Sequence, residues 1–149
     1  LGHPLFIYAA LRTWLVGYDR AAPHFTVDTP HHEPVPGFFT VVLNTNPYTY
    51  LGNRPLDLSP AATLGRGLVA VTFRSMKVSS ILGGLGGALR GGGVKASDTL
   101  DVQTDLASIV ISHPEPFPYQ LDGDYLGETR HLEFTHVPEA VRLVRPLAP

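Results

Sequence analysis

The sequence predicts a mainly β fold, a two-layer β-sandwich or distorted barrel with an N-terminal helix and one inserted helix. Three observations predict it. After Asp19 apolar and polar residues alternate with period two through much of the chain, the pattern of half-buried strands. A helical period shows clearly in only one later stretch, from Val78 to Leu89. Prolines and glycines divide the rest into short runs, and Asp122-Gly123 stands between two of them as the strongest short hairpin signal.

Taken in order, the first element is a helix. Pro4 suits its first position, Leu5 to Val16 is nearly all apolar, and Gly17 can stop it. Tyr8, Leu11 and Trp14 belong to this helix, which is expected to stay partly exposed where an upstream domain would cover it. His24 to Asp28 and Gly37 to Leu43 read as strands, with the proline-rich Thr29 to Pro36 as the loop between them. Asn44 to Asn53 is dense in amides and hydroxyls and reads as a loop. Leu68 to Phe73 is a strand rich in β-branched and aromatic residues.

Val78, Ile81, Leu82, Leu85 and Leu89 fall at i, i+3, i+4, i+7 and i+11, one face of a helix. Gly83, Gly84, Gly86 and Gly87 weaken that helix by about 0.8–1 kcal/mol each relative to alanine. Close backbone packing or bending would account for them. Gly91-Gly92-Gly93 reads as the helix end and a connector. Strands follow at Leu100 to Gln103, Leu106 to Ser112, Phe117 to Leu121, Asp124 to Leu126, His131 to Thr135 and Ala140 to Val144. His113 to Pro118 reads as a stiff linker between two of them.

Composition narrows the function. A chain of 149 residues fits a single domain, 1–149, with its own core. A net charge of −2 lacks the basic footprint of a nucleic-acid binder. Without cysteine there is no disulfide, no thiolate nucleophile and no Cys-ligated zinc. No apolar run reaches the roughly 18 residues of a membrane-spanning helix. The N-terminus shows no basic region before its apolar stretch and reads as an internal start rather than a secretion signal.

Motifs narrow it further. His31-His32-Glu33 offers metal ligands, yet three adjacent residues converge on one ion only with unusual backbone, so a proline-rich turn is the simpler reading. The glycine-rich stretch from Gly83 to Arg90 matches neither the Walker loop nor the dinucleotide fingerprint, and so is not read as a nucleotide cradle. Gly-x-Ser-x-Gly is absent. Around Asp122-Gly123-Asp124 two readings stand side by side. The aspartates are solvated turn residues, or the turn presents a carboxylate on a rigid support for proton transfer. A glycosidase pair is a third reading, because strand residues at i and i+2 lie roughly 6.5–7 Å apart.

Three segments, in order, resemble the C-terminal domain of the diacylglycerol kinase/sphingosine kinase family of lipid kinases, especially its bacterial members. The first is the strand ending at Asn44, its polar loop, and Leu58-Ser59-Pro60-Ala61-Ala62 running on to Gly67-Leu68-Val69-Ala70-Val71. The second is the helix after that strand. The third is Phe117-Pro118-Tyr119-Gln120-Leu121-Asp122-Gly123-Asp124, similar to the family's Gln-x-Asp-Gly-Glu/Asp segment, followed by a Val-Pro turn and a terminal Leu-Val-x-Pro.

The resemblance implies the substrate-side domain of a two-domain, ATP-dependent kinase that phosphorylates a lipid hydroxyl. It places Asp124 as the general base, with Asn44, Asn46, Asp122 and Gly123 lining the cleft. ATP and magnesium would be held mainly by an N-terminal nucleotide-binding domain carrying Gly-Gly-Asp-Gly-Thr, a motif this sequence lacks. This chain alone is therefore expected to be inactive, to bind ATP only weakly and to hold no cofactor. The same resemblance implies a cytoplasmic protein at the membrane periphery, with a lipid substrate, its own nucleotide domain as partner, no nucleic acid, and homodimer pairing through a sheet edge.

Two departures stand out. Asp124 is one methylene shorter than the family's usual Glu. Where bacterial relatives carry carboxylates for a structural magnesium, this chain has Gly65-Arg66-Gly67-Leu68, so no metal is expected there and Asp57 is the nearest acid in sequence. Arg66 would then supply a fixed positive charge in place of the ion. The alternative is a non-catalytic β-sandwich that binds lipid or a protein partner. If Asp122 mainly holds the turn, Asp122→Asn should lower stability at least as visibly as rate.

Overall fold

The computed structural model describes residues 22–140. Leu5 to Val16, and the final strand beyond Ala140, lie outside them. Nine strands are present among the described residues. β1 (Phe25–Asp28), β2 (Val35–Gly37), β8 (Ser108–Leu121) and β9 (Asp124–Thr135) form an antiparallel sheet in the order β2-β1-β8-β9. β3 (Phe39–Leu43), β6 (Leu68–Phe73) and β7 (Leu100–Leu106) form a second antiparallel sheet in the order β3-β6-β7. β4 (Thr49–Leu51) and β5 (Arg54–Leu56) make a separate hairpin. The helix α1 (Val78–Leu89) follows β6. The sheets do not close, so the fold is mainly β and sandwich-like rather than a barrel.

The core explains why β6 reads as an unbroken apolar run rather than an alternating one. Leu68 and Ala70 face the first sheet and pack with Phe25, Val27, Ile109, Ile111 and Phe117. Val69 and Val71 face the other way, among Val41, Leu43, Leu58, Ala88 and Val94. A strand buried on both faces has no polar side to alternate with. Each of the buried valine, leucine and isoleucine side chains contributes about 1.5–3 kcal/mol by leaving water.

The expected strand Gly37 to Leu43 is two strands. Gly37 pairs with Phe25 in the first sheet, whereas the next N–H, that of Phe38, donates to the Phe73 carbonyl in the second at 2.9 Å. Only glycine fits at this crossover: a Cβ on Gly37 would lie 2.6 Å from the Phe25 ring and 2.7 Å from the Thr72 methyl. Two further expectations are corrected. Asn44 to Asn53 is not all loop, since it contains β4 and the turn into β5. His113 to Pro118 is no linker, since β8 runs through it and β9 is likewise continuous.

α1 keeps its expected bounds but not its expected face. The sheet side is the small one: Ala88 is fully buried, and Gly84 has room for a Cβ only 3.4 Å from the Phe73 ring. Of the apolar face read from the sequence, Val78 and Leu82 are 52% and 60% exposed, whereas Ile81 and Leu89 are half-buried. Gly93 and Val94 press close enough to Gly87 that a Cβ there would meet the Gly93 carbonyl oxygen at 3.0 Å.

Candidate functional site

The long β8–β9 hairpin carries the strongest sequence motif at its tip. Leu121 pairs with Asp124, and the two residues between them form the turn. Asp122 has φ 51° and Gly123 φ 93°, positive at both central positions as a type I′ turn requires. Aspartate tolerates the left-handed region because its short side chain can bond locally, and glycine enters it without a Cβ clash. One expectation changes in consequence. Asparagine suits the first turn position as well as aspartate does, so Asp122→Asn should not unfold the hairpin.

Asp124 is the first residue of β9 and is exposed, as are Asp122 and Gly123. Its side chain makes no hydrogen bond among the described residues. Leu121, which pairs with Asp124, and Tyr125 and Leu126, which follow it in β9, are 57%, 66% and 51% exposed. The register shifts between Tyr119 and Gln120, with Leu126 as the extra residue opposite. The spacing that suggested a glycosidase pair does not apply, because Asp122 is a turn residue and not a strand neighbour of Asp124.

Asn44 and Asn46 lie elsewhere. They follow β3 in the second sheet, and Asn44 is exposed. The Asn46 amide donates from Nδ2 to Asp57 Oδ1 at 3.1 Å, while its own Oδ1 is buried with no partner. Among the described residues no hydrogen bond joins Asn44 or Asn46 to Asp122 or Asp124. The Asn46–Asp57 contact was not legible in the sequence, because the β4–β5 hairpin that brings the two together reads there as loop.

The loop expected to be free of carboxylates has one nearby after all. The Gly67 N–H donates to Asp105 Oδ1 at 2.9 Å, so an acid other than Asp57 lies beside this loop. Asp105 has φ 60°, next to the point where β7 ends. A Cβ on Gly67 would sit 2.6 Å from the Leu106 carbonyl oxygen, which fixes glycine at that position. The Arg66 side chain is exposed. His31, His32 and Glu33 occupy an exposed turn, with His31 at φ 67° and His32 Nδ1 3.0 Å from the Pro30 carbonyl oxygen. Among the described residues no three His, Asp or Glu side chains converge as a metal site would need. No helix among them is long and apolar enough to cross a membrane.

Comparison with protein-family models, curated proteins and solved structures finds no match to this chain. What the structure defines is a mainly β, sandwich-like fold.

Proposed function

We propose that this chain is the substrate-side domain of an ATP-dependent lipid kinase, with Asp124 as the general base. The observation that carries the reading is the Gln120 to Asp124 motif at the tip of the hairpin, where the exposed Asp124 carboxylate has no hydrogen-bond partner among the described residues and Leu121, Tyr125 and Leu126 are exposed nearby in the chain. An alcohol is a weak nucleophile at neutral pH. Asp124 takes the proton from the lipid hydroxyl as the oxygen attacks the γ-phosphorus of ATP, and the bond to the leaving ADP breaks. Phosphoryl transfer of this kind depends mainly on positioning and charge stabilisation. The two-residue turn limits how far Asp124 can move relative to its support. Leu121, Tyr125 and Leu126 give a lipid apolar surface to lie against.

ATP and magnesium are assigned on this reading to a nucleotide-binding domain upstream of residue 1. Nothing among the described residues is assigned to hold the metal. The protein would work in the cytoplasm at the membrane surface, where its substrate is. The test is an assay of the full-length gene product with labelled ATP against diacylglycerol and sphingoid bases. Transfer to one of these lipids is the expected result, and transfer to neither would overturn the proposal.

The exposed Leu121, Tyr125 and Leu126 also favour a second reading, a non-catalytic module that binds lipid or protein through the hairpin tip. Vesicle or partner binding that survives Asp124→Asn, in a protein without kinase activity, would select it.

A further inference from the structure

Asp122-Gly123 is the sole Asp-Gly pair in the sequence, and the fold leaves it unprotected. Both residues are exposed and lie outside the strand ladder, which closes with the Leu121–Asp124 pair. The Asp122 carboxylate and the Gly123 N–H have no hydrogen-bond partner among the described residues. A Cβ built on Gly123 would meet nothing within 4 Å, so no neighbouring group confines that amide. The tip around it is unsupported. β1 pairs with β8 only as far as Ser112, the ladder slips between Tyr119 and Gln120, and every residue from Gln120 to Leu126 is exposed. Local opening of such a tip costs little, because few buried contacts are lost.

Other aspartates are held differently. Asp57, Asp101 and Asp105 accept hydrogen bonds through their carboxylates. Asp98 and Asp124 are exposed, but Thr99 and Tyr125 follow them, and a side chain on the following residue crowds its amide nitrogen. Tyr125 is also paired in the ladder, opposite Gln120.

We infer that Asp122 is a site of spontaneous isomerisation to isoaspartate, with the chain's own Gly123 amide as nucleophile. The Gly123 nitrogen attacks Cγ of the Asp122 carboxylic acid. The N–Cγ bond forms, the Cγ–OH bond breaks, and water leaves with that hydroxyl and the amide proton. The product is a five-membered succinimide ring, and water then adds back at one of its two carbonyls. Addition at Cγ restores aspartate. Addition at the main-chain carbonyl breaks that carbon's bond to nitrogen and leaves the chain running through Cβ and Cγ. Neither oxidant nor reductant is needed, and the net composition is unchanged. Ring closure takes Asp122 and Gly123 out of their turn angles of φ 51° and 93°, a rotation that glycine's freedom and the open space around it permit. The extra main-chain methylene disrupts the two-residue turn and shifts Asp124, the residue that follows it. A misplacement of about 1 Å can cost 10²-fold in rate, so isomerised molecules lose activity where Asp124 is the base. That consequence rests on the proposed function, whereas the isomerisation does not.

The test incubates the full-length gene product in oxygen-18 water near neutral pH, with samples taken over time and digested with trypsin. A single tryptic peptide, 96–130, carries Asp98, Asp101, Asp105, Asp122 and Asp124, so each sample contains its own controls. Fragmentation at the main-chain methylene of isoaspartate locates the modified position by mass. Isoaspartate carrying oxygen-18 is expected at 122, accumulating several times faster than at Asp98 or Asp124. Asp122→Asn, which suits the turn, should reach the same product faster still, because ammonia leaves from a neutral amide in place of water. Asp122→Glu would need a six-membered ring and should abolish it. The inference is overturned if 122 stays unmodified over a time in which the free 96–130 peptide forms isoaspartate, or if 122 reacts no faster than Asp98. Lipid-phosphorylating turnover that falls in step with isomer content supports both the inference and the kinase reading. Isomer accumulating at constant turnover upholds the inference and counts against Asp124 as the base.

Discussion

At the scale of single residues, Gly123 and Asp122 show what the turn demands. Gly123 sits at φ 93°, where an L side chain is strained. Gly123→Ala should therefore cost about 1–2 kcal/mol in urea unfolding. Asp122→Asn should stay within about 0.5 kcal/mol of wild type, because Asn-Gly is itself a preferred type I′ pair. A large loss for Asp122→Asn would mean that its carboxylate has a role in the turn that the backbone geometry does not explain. Asp-Gly could be read as a turn from the sequence because its chemistry is local. Asp105 beside Gly67, and Asp57 beside Asn46, could not, because strands far apart in sequence bring them together.

At the scale of elements, α1 separates what periodicity tells from what packing decides. Its apolar spacing located the helix from Val78 to Leu89, and the structure keeps those bounds. The spacing did not reveal that the glycine and alanine side faces the sheet, because close approach by Phe73 and Gly93 selects small residues. The glycines should accordingly differ. Gly83 faces open space, so Gly83→Ala should stabilise by about 0.5–1 kcal/mol through helix propensity alone. Gly87→Ala should lose that gain to the contact with the Gly93 carbonyl and come out destabilised. Thermal unfolding of the two variants checks the contrast, and equal gains would show that α1 packs more loosely than described.

β8 makes a related point. Pro114, Pro116 and Pro118 alternate, so their missing donors fall on one side of the strand. Beyond Ser112 no β1 residue pairs with β8, and the loss is tolerated. Proline counts alone read as linker because a sequence does not show which edge of a strand is open.

At the scale of the whole molecule, the two sheets are joined by polar groups as well as by the core. Thr29, just after β1, donates from Oγ1 to Gln103 Oε1 on β7, and Gln103 Nε2 donates to Asp101 Oδ2 at 2.9 Å. Thr29 and Gln103 are both buried. Thr29→Val keeps the shape but leaves the Gln103 oxygen without its donor, at a cost of about 1–3 kcal/mol in urea unfolding. An unchanged midpoint would show that water replaces the link. The mainly β class was legible because alternation survives in most strands. The division into two sheets was not, since Gly37 and Phe38 look like consecutive residues of one strand.

The central claim is that Asp124 removes the proton from a lipid hydroxyl, and the most direct measurement is lipid-phosphorylating turnover of the full-length gene product carrying Asp124→Asn. General bases contribute about 10²–10⁴-fold. The account predicts a fall of that order with ATP affinity and the unfolding midpoint unchanged, and substantial activity in Asp124→Glu, which restores the family's usual residue. Turnover of Asp124→Asn within about twofold of wild type, far short of a general base's contribution, would contradict it and leave Asp122 to Asp124 as a hairpin turn.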